Sequence, residues 1–303
     1  MPVADRPTSL LIRHALEQAG LASLLEQRSA DTISRTQIES LLRPDLALLA
    51  ARIAHQRRLE AFGLVTTYAR TGEGDAPDIH RAAPALTTWA ELLSWGRDHV
   101  GACGPRPEEA VRLARTEGLN AADAGKALKT VGFAALAPTR LPELADDLWL
   151  EQMAGLSSSG LCLTVGLPFN GDEPPACWIE RVQQLRRWQA HQKIADAMLM
   201  LPKQLEMGTE LAAVPTGFGI LQMVALARIL VDNVPHLSVP WSLTGIKLGQ
   251  ITLSWGADDW VGPEGYDPGD NPGPVEAPRL TELISAAGFE PVARDAAFHL
   301  IGR

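Results

Sequence analysis

Short apolar runs alternating with helical patterns constrain this chain more than any other feature of it. Residues 131–136 (VGFAAL), 160–165 (GLCLTV) and 197–201 (AMLML) are each bounded by turn residues, as strands buried on both faces of a sheet should be. Helical patterns lie between and after them, clearest over 175–192 and 219–232. Strands separated by helices of ten or more residues require βαβ crossovers, and so a parallel sheet in an α/β fold. The β-branched and aromatic run 64–68 (LVTTY) predicts an earlier strand. A helix over 279–287 and a strand near 291–299 complete the pattern.

Ahead of the first strand the periodicity is helical. Residues 8–30 read as one helix, and Ser34 opens another with Gln37 placed to complete a capping box. Leu41, Leu42, Leu46, Leu49 and Ile53 continue at helical spacing until Ala61-Phe62-Gly63 breaks it. Further helices are expected through Trp89, Leu92, Leu93 and Gly96, and over 107–117 and 120–130. Residues 71–84 and 263–278 are rich in Gly, Pro and Asp and read as loops.

At 303 residues and 46% hydrophobic content, the chain can bury a full core in one large α/β domain or two smaller ones. A formal charge of −9 argues against a nucleic-acid or anionic-membrane surface. The local basic clusters Arg57-Arg58 and Arg181/Arg186-Arg187 lack interleaved aromatics and read as solvated helix faces. The first residues are charged and lack a continuous apolar region, so no signal peptide is expected. No apolar run is read as long enough to span a membrane. Three widely spaced cysteines (Cys103, Cys162, Cys177) fit a reducing, cytoplasmic setting without a disulfide framework.

Catalytic and metal signatures are weak. Gly72-x-Gly74 lacks the third glycine of a dinucleotide fingerprint. Ser157-Ser158-Ser159-Gly160 is a turn and not a nucleophile elbow. The histidines have no metal-ligand spacing, so no metal site is expected. His236, after Asn233-Val234-Pro235, reads as a loop or strand-entry residue.

The most specific pattern runs from Arg228 to Asp259. It contains ARILVDN, then PHL, then Trp241, Gly245, Lys247-Leu248 and Gln250 in order, and finally GADD over 256–259. With Pro215-Thr216-Gly217, the Arg181-Val182…Leu185-Arg186…Gln189 series and the passage 118–136, it resembles the aminofutalosine synthase/dehypoxanthine futalosine cyclase group of radical S-adenosylmethionine (SAM) enzymes. The resemblance implies an α/β, TIM-type (radical SAM-like) barrel, incomplete or degenerate, with a helical N-terminal cap. The cap would occupy 1–62 and the shortened barrel 63–303. It also makes residues 246–255 helical, although IKLGQITLSW alternates like a strand.

The departures from that family carry as much as the matches. The family holds a four-iron (4Fe-4S) cluster and SAM on a C-x3-C-x2-C loop after its first strand; here that strand leads into residues 69–75 (ARTGEGD), without a cysteine. The chain is also short between Tyr68 and Glu108, where the family places its second strand. The family's Y-G-H-x-E and P-L-x-F-H-P elements stand here as residues 165–169 (VGLPF) and 200–205 (MLPKQL), with histidines lost. No cofactor is therefore expected.

Arg228, Asn233, Trp241, Asp258 and Asp259 match family positions and are the ligand-binding candidates; the catalytic residues stay unassigned. Four of them have a plainer alternative. Arg228 has Asp232 four residues on as a helical ion-pair partner. Trp241 suits a core, and Asp258 and Asp259 suit a turn after Gly256-Ala257. The resemblance implies a pseudoenzyme of futalosine-route menaquinone biosynthesis. It would bind a small carboxylate, or partner a full-length radical SAM paralogue or another enzyme of that route. The alternative is a cluster-independent enzyme, with Asp258 or Asp259 as base and Arg228 holding a carboxylate. A third reading is a helical interaction domain using Trp89/Trp95 or Trp178/Trp188, for which core burial is the default.

Overall fold

The computed structural model describes residues 10–27, 29–69, 86–142, 147–204, 210–262 and 277–302. The loops expected over 71–84 and most of 263–278 lie outside these residues.

Nine strands are described. They are β1 (Val65–Ala69), β2 (Cys103–Gly104), β3 (Ala135–Leu136), β4 (Thr139–Arg140), β5 (Thr164–Phe169), β6 (Ala197–Pro202), β7 (His236–Pro240), β8 (Asp259–Val261) and β9 (Glu290–Arg294). Seven form one sheet in the order β4-β5-β6-β7-β8-β1-β9, parallel throughout. β2 and β3 pair in parallel, and a bridge between Ala135 and Cys162 ties them to the approach to β5. The sheet curls into a partial TIM-like barrel. In a sequential barrel, β1 has the last barrel strand on one side and the second on the other. Here β8 takes the first place and the C-terminal β9 the second.

Among the described residues, twelve helices surround and cap the sheet. α1 (Leu10–Gln18), α2 (Arg35–Leu41) and α3 (Ala47–Phe62) form the N-terminal part. α4 (Trp89–Asp98), α5 (Pro107–Thr116), α6 (Ala121–Thr130), α7 (Asp147–Ser158), α8 (Pro175–His191) and α9 (Gly217–Leu230) follow. The short α10 (Trp241–Thr244) and α11 (Ile246–Thr252) lie after β7, and α12 (Ala277–Ala286) precedes β9.

Local chemistry accounts for the boundaries. Ser34 and Gln37 make both hydrogen bonds of the capping box at α2. Pro44 opens a separate turn before α3, which ends at Gly63 with φ of 60°. The expected helix 8–30 is shorter, because Gly20 turns the chain at φ of 70° and a 3-10 turn replaces its second half. Residues 246–252 are helical, in line with the resemblance and against their alternation.

Two expected strands begin later than their apolar runs. Leu161 and Leu163 are buried before β5 starts, and β5 then continues through Gly166 and Pro168. Residues 131–133 close α6 and turn, leaving Ala135–Leu136 as the strand. Cys103 lies in β2.

One core runs through both the helical N-terminus and the sheet, from Leu16 and Leu24 to Trp260 and Ile284. α3 packs against α9, whose residues from Ile220 to Leu230 are almost all buried. The stretch 211–230 is long and apolar enough by composition to span a bilayer, contrary to the sequence expectation. Most of it is buried inside the fold, as a core helix.

Of the basic clusters only Arg187 is exposed; the others are not solvated faces. Arg58 is fully buried and ties α3 to the start of β1, donating to the Val65 carbonyl (2.6 Å) and Thr66 Oγ1 (2.6 Å). Arg186 binds Asp31 and Asp232, joining α8 to the N-terminal segment and to the loop before β7. Their aliphatic stems and paired heads let them sit at seams between layers.

Candidate functional site

Strand register builds a site inside the barrel. Gly166, Leu199, Ser238, Asp259 and Thr67 are successive partners across β5, β6, β7, β8 and β1, and so share one level. Leu201 on β6 and Val261 on β8 lie one step higher on the same face. A Cβ at Gly166 would meet the end of the Leu201 side chain, which would have to shift. Leu199, Leu201, Ser238 and Val261, with Cys103, Leu136, Leu243, Arg294 and Phe298, line a cavity of about 250 Å³.

Asp259 and Arg294 form the polar floor. Arg294 donates Nε to Asp259 Oδ1 (2.6 Å) and Nη2 to Oδ2 (2.7 Å), a bidentate pair. Thr67 Oγ1 donates to Oδ1 (2.7 Å) and Ser238 Oγ to Oδ2 (2.6 Å). Burial alone would raise the carboxyl pKa of Asp259, but the Arg294 charge and these hydrogen bonds outweigh it and hold it below the ordinary range. Phe298 closes one end. Its ring lies 3.8 Å from the Arg294 guanidinium and stacks on His236 at 4.2 Å between centroids.

Asp258, one residue earlier, faces the other way. It forms an ion pair with Arg228 Nη2, accepts from the Leu237 backbone N–H (2.7 Å) and pairs with His236 Nδ1 (2.7 Å). Arg228 also donates to the carbonyls of Gly256 (2.8 Å) and Pro235 (3.0 Å). Its partner is therefore Asp258 and not the helical Asp232. α9 ends at Leu230, so Asp232 lies beyond the helix and turns to Arg186 (2.6 Å).

Asn233 ties the same loop to α8, donating Nδ2 to the Arg186 carbonyl (2.9 Å). Trp241 is fully buried above β7, against Gly262, where any Cβ would strike its ring. None of the five predicted residues is among the described residues lining the cavity; Asp259 lies directly behind Arg294 and Ser238, and Trp241 lies behind Gly262. Arg228 on α9 and, in the connections, Asp258 and Asn233 lie below the cavity.

Arg294, Ser238, Thr67 and Phe298 were missed. A charged residue in alternation with the buried Val292 was the available signal for Arg294. Leu167, which stands where the family has a histidine, alternates away from the cavity and is fully buried.

The cysteines do not fit a four-iron cluster. Cys103 and Cys162 flank Ala135 on neighbouring strands, about 10 Å apart at the usual strand spacing. Cys177 is exposed on α8. Burial pushes the Cys162 thiol up to about 12, away from the thiolate a metal needs. Among the described residues, no three His, Cys, Asp or Glu side chains are grouped to hold a metal ion.

No family model matches the chain. Over 105 residues it is 33% identical to the aminodeoxyfutalosine synthase of Streptomyces coelicolor, covering 32% of this chain and 26% of that protein. Over 155 residues it is 32% identical to the cyclic dehypoxanthine futalosine synthase of the same organism, covering 50% and 38%. The chain thus spans well under half the length of either relative. Its fold is similar to that of methylornithine synthase (PylB), with a TM-score of 0.56 and 12% identity over 89% of this chain and 96% of that one. The chain is distantly similar to radical SAM enzymes, and its fold is radical SAM-like.

Proposed function

We propose that this protein binds a small molecule inside its radical SAM-like barrel and performs no cluster-dependent chemistry. The observation that carries the reading is a cavity kept with a built polar floor while the three cysteines are scattered over two strand segments and an outer helix. The partial likeness to two futalosine-named enzymes supports a place in futalosine-route menaquinone biosynthesis, in the cytoplasm, beside a full-length radical SAM paralogue or another enzyme of the route.

The enzyme alternative needs a pocket carboxylate held at a raised pKa. Asp259 is held below the ordinary range, which favours the binding reading. Anaerobic reconstitution with iron and sulfide is the test. The expected product is colourless and leaves SAM intact. A brown protein with stoichiometric iron that cleaves SAM would sink the proposal.

A further inference from the structure

Among the described residues that line the barrel cavity, Arg294 is the charged one, and Asp259 directly behind it pairs with that charge. Arg294 gives Nε and Nη2 to the two oxygens of Asp259, and Nη1 to the Asp295 carbonyl. Asp259 completes its shell with Thr67 and Ser238. The rest of the wall is apolar apart from two hydroxyls, Thr164 at the start of β5 and Ser242 in α10. Neither hydroxyl makes a side-chain hydrogen bond among the described residues.

Such a site selects by charge. A charged ligand would leave water for a cavity whose own charges already cancel, with no counter-charge to meet it. Arg294 already gives Nε and Nη2 to Asp259 and Nη1 to Asp295, so a carboxylate would meet only its remaining N–H groups, on a charge that Asp259 has neutralised. A neutral molecule faces no such penalty, and the two hydroxyls offer it donors and acceptors. Size narrows the class further. A cavity of about 150 Å³ holds benzene, so about 250 Å³ accommodates one ring with substituents.

Resting on the reading of the barrel interior as the binding site, we infer that its ligand is a neutral, largely apolar molecule the size of one substituted ring. Thr164 and Ser242 hydrogen-bond it, and the Asp259–Arg294 pair excludes charged analogues.

Isothermal titration of the full chain at pH 7 with benzamide, benzoate and benzylammonium tests this. Benzamide should bind at least about ten-fold more tightly than either ion, a ratio worth about 1.4 kcal/mol. Leu199→Phe, which fills the cavity and leaves the ion pair intact, should abolish benzamide binding. Asp259→Asn, which uncovers the Arg294 charge, should turn the preference toward benzoate. The inference is overturned if benzoate binds the native protein as well as benzamide does, if Leu199→Phe binds benzamide undiminished, or if no probe binds. The native titration and Leu199→Phe decide the matter even if Asp259→Asn does not fold. A preference for benzoate would leave the cluster-free reading standing, because only iron reconstitution addresses that.

Discussion

Asp258 and Asp259 are adjacent, yet one clamps the underside of the barrel and the other lies inside it. Entry into β8 between them sends successive side chains to opposite faces. Each is matched to an arginine from a different element, Arg228 of α9 and Arg294 of β9. Removing one partner of a buried pair strands the other charge. Asp259→Ala should therefore cost about 3–5 kcal/mol, while exchanging Asp259 and Arg294 together for apolar residues should cost far less. Urea denaturation of the two variants checks this.

The pH dependence separates two residues. The Asp259 carboxyl is depressed in the fold, so its contribution is complete above about pH 4, the unfolded value, and is lost as pH falls through the folded one. His55 acts at milder acidity. Burial, then the charges of Arg58 and Arg52, push its ring down to about 4. Between about pH 6.5 and 4 the unfolded chain gains a proton that the fold refuses, so stability falls as pH falls. His55→Phe should remove about 1–2 kcal/mol of the loss between pH 7 and 4.5, the full shift being discounted for partial exposure. Urea midpoints at the two pH values read it out.

Among the elements, β9 and α8 do more than their sequences suggest. β9 occupies the edge of β1 that a sequential barrel gives to its second strand, and so carries Arg294 into the interior. The following turn places Phe298 at φ of 64°, stacked beneath the cavity. On α8, Gln189 Oε1 accepts from the backbone N–H groups of Ile194 (2.8 Å) and Ala195 (3.0 Å), and its Nε2 donates to the carbonyls of Ala195 (2.8 Å) and Asn233 (3.3 Å). The Arg186…Gln189 series thus holds the turn that launches β6. Gln189→Leu leaves these buried groups unpaired and should destabilise by about 2–3 kcal/mol, seen as a lower urea midpoint with the ligand preference unchanged.

Legibility at this scale followed the range of the interactions. The Ser34 cap, the helical periods of α5, α6, α8 and α9, and the strands β1 and β6 depend on neighbours in sequence and were readable. The start of β5 was not. Leu161 and Leu163 are buried by tertiary packing before the ladder begins, and Pro168 reads as a strand breaker until its place beside β6 is known.

For the whole molecule, the shared core makes the N-terminal helices part of the barrel's support. α9 is buried between α3 and the sheet, so a fragment of residues 63–303 would expose it. That fragment should lose cooperative unfolding and self-associate, as read by circular dichroism and size-exclusion chromatography. A monomeric fragment that unfolds cooperatively would show the barrel to be independent of its cap.

By itself, the sequence determined the α/β class, the parallel sheet, the helical start and the likeness to radical SAM enzymes, because apolar period, caps and short motifs are local. It also held the count and spacing of the cysteines. Only the tertiary structure decided that Asp258 and Asp259 part company, that Arg228 reaches Asp258, and that Arg294 neutralises Asp259. Those pairings join residues from 30 to 35 positions apart across different elements, and charge compensation depends on distance in space, which no local pattern records.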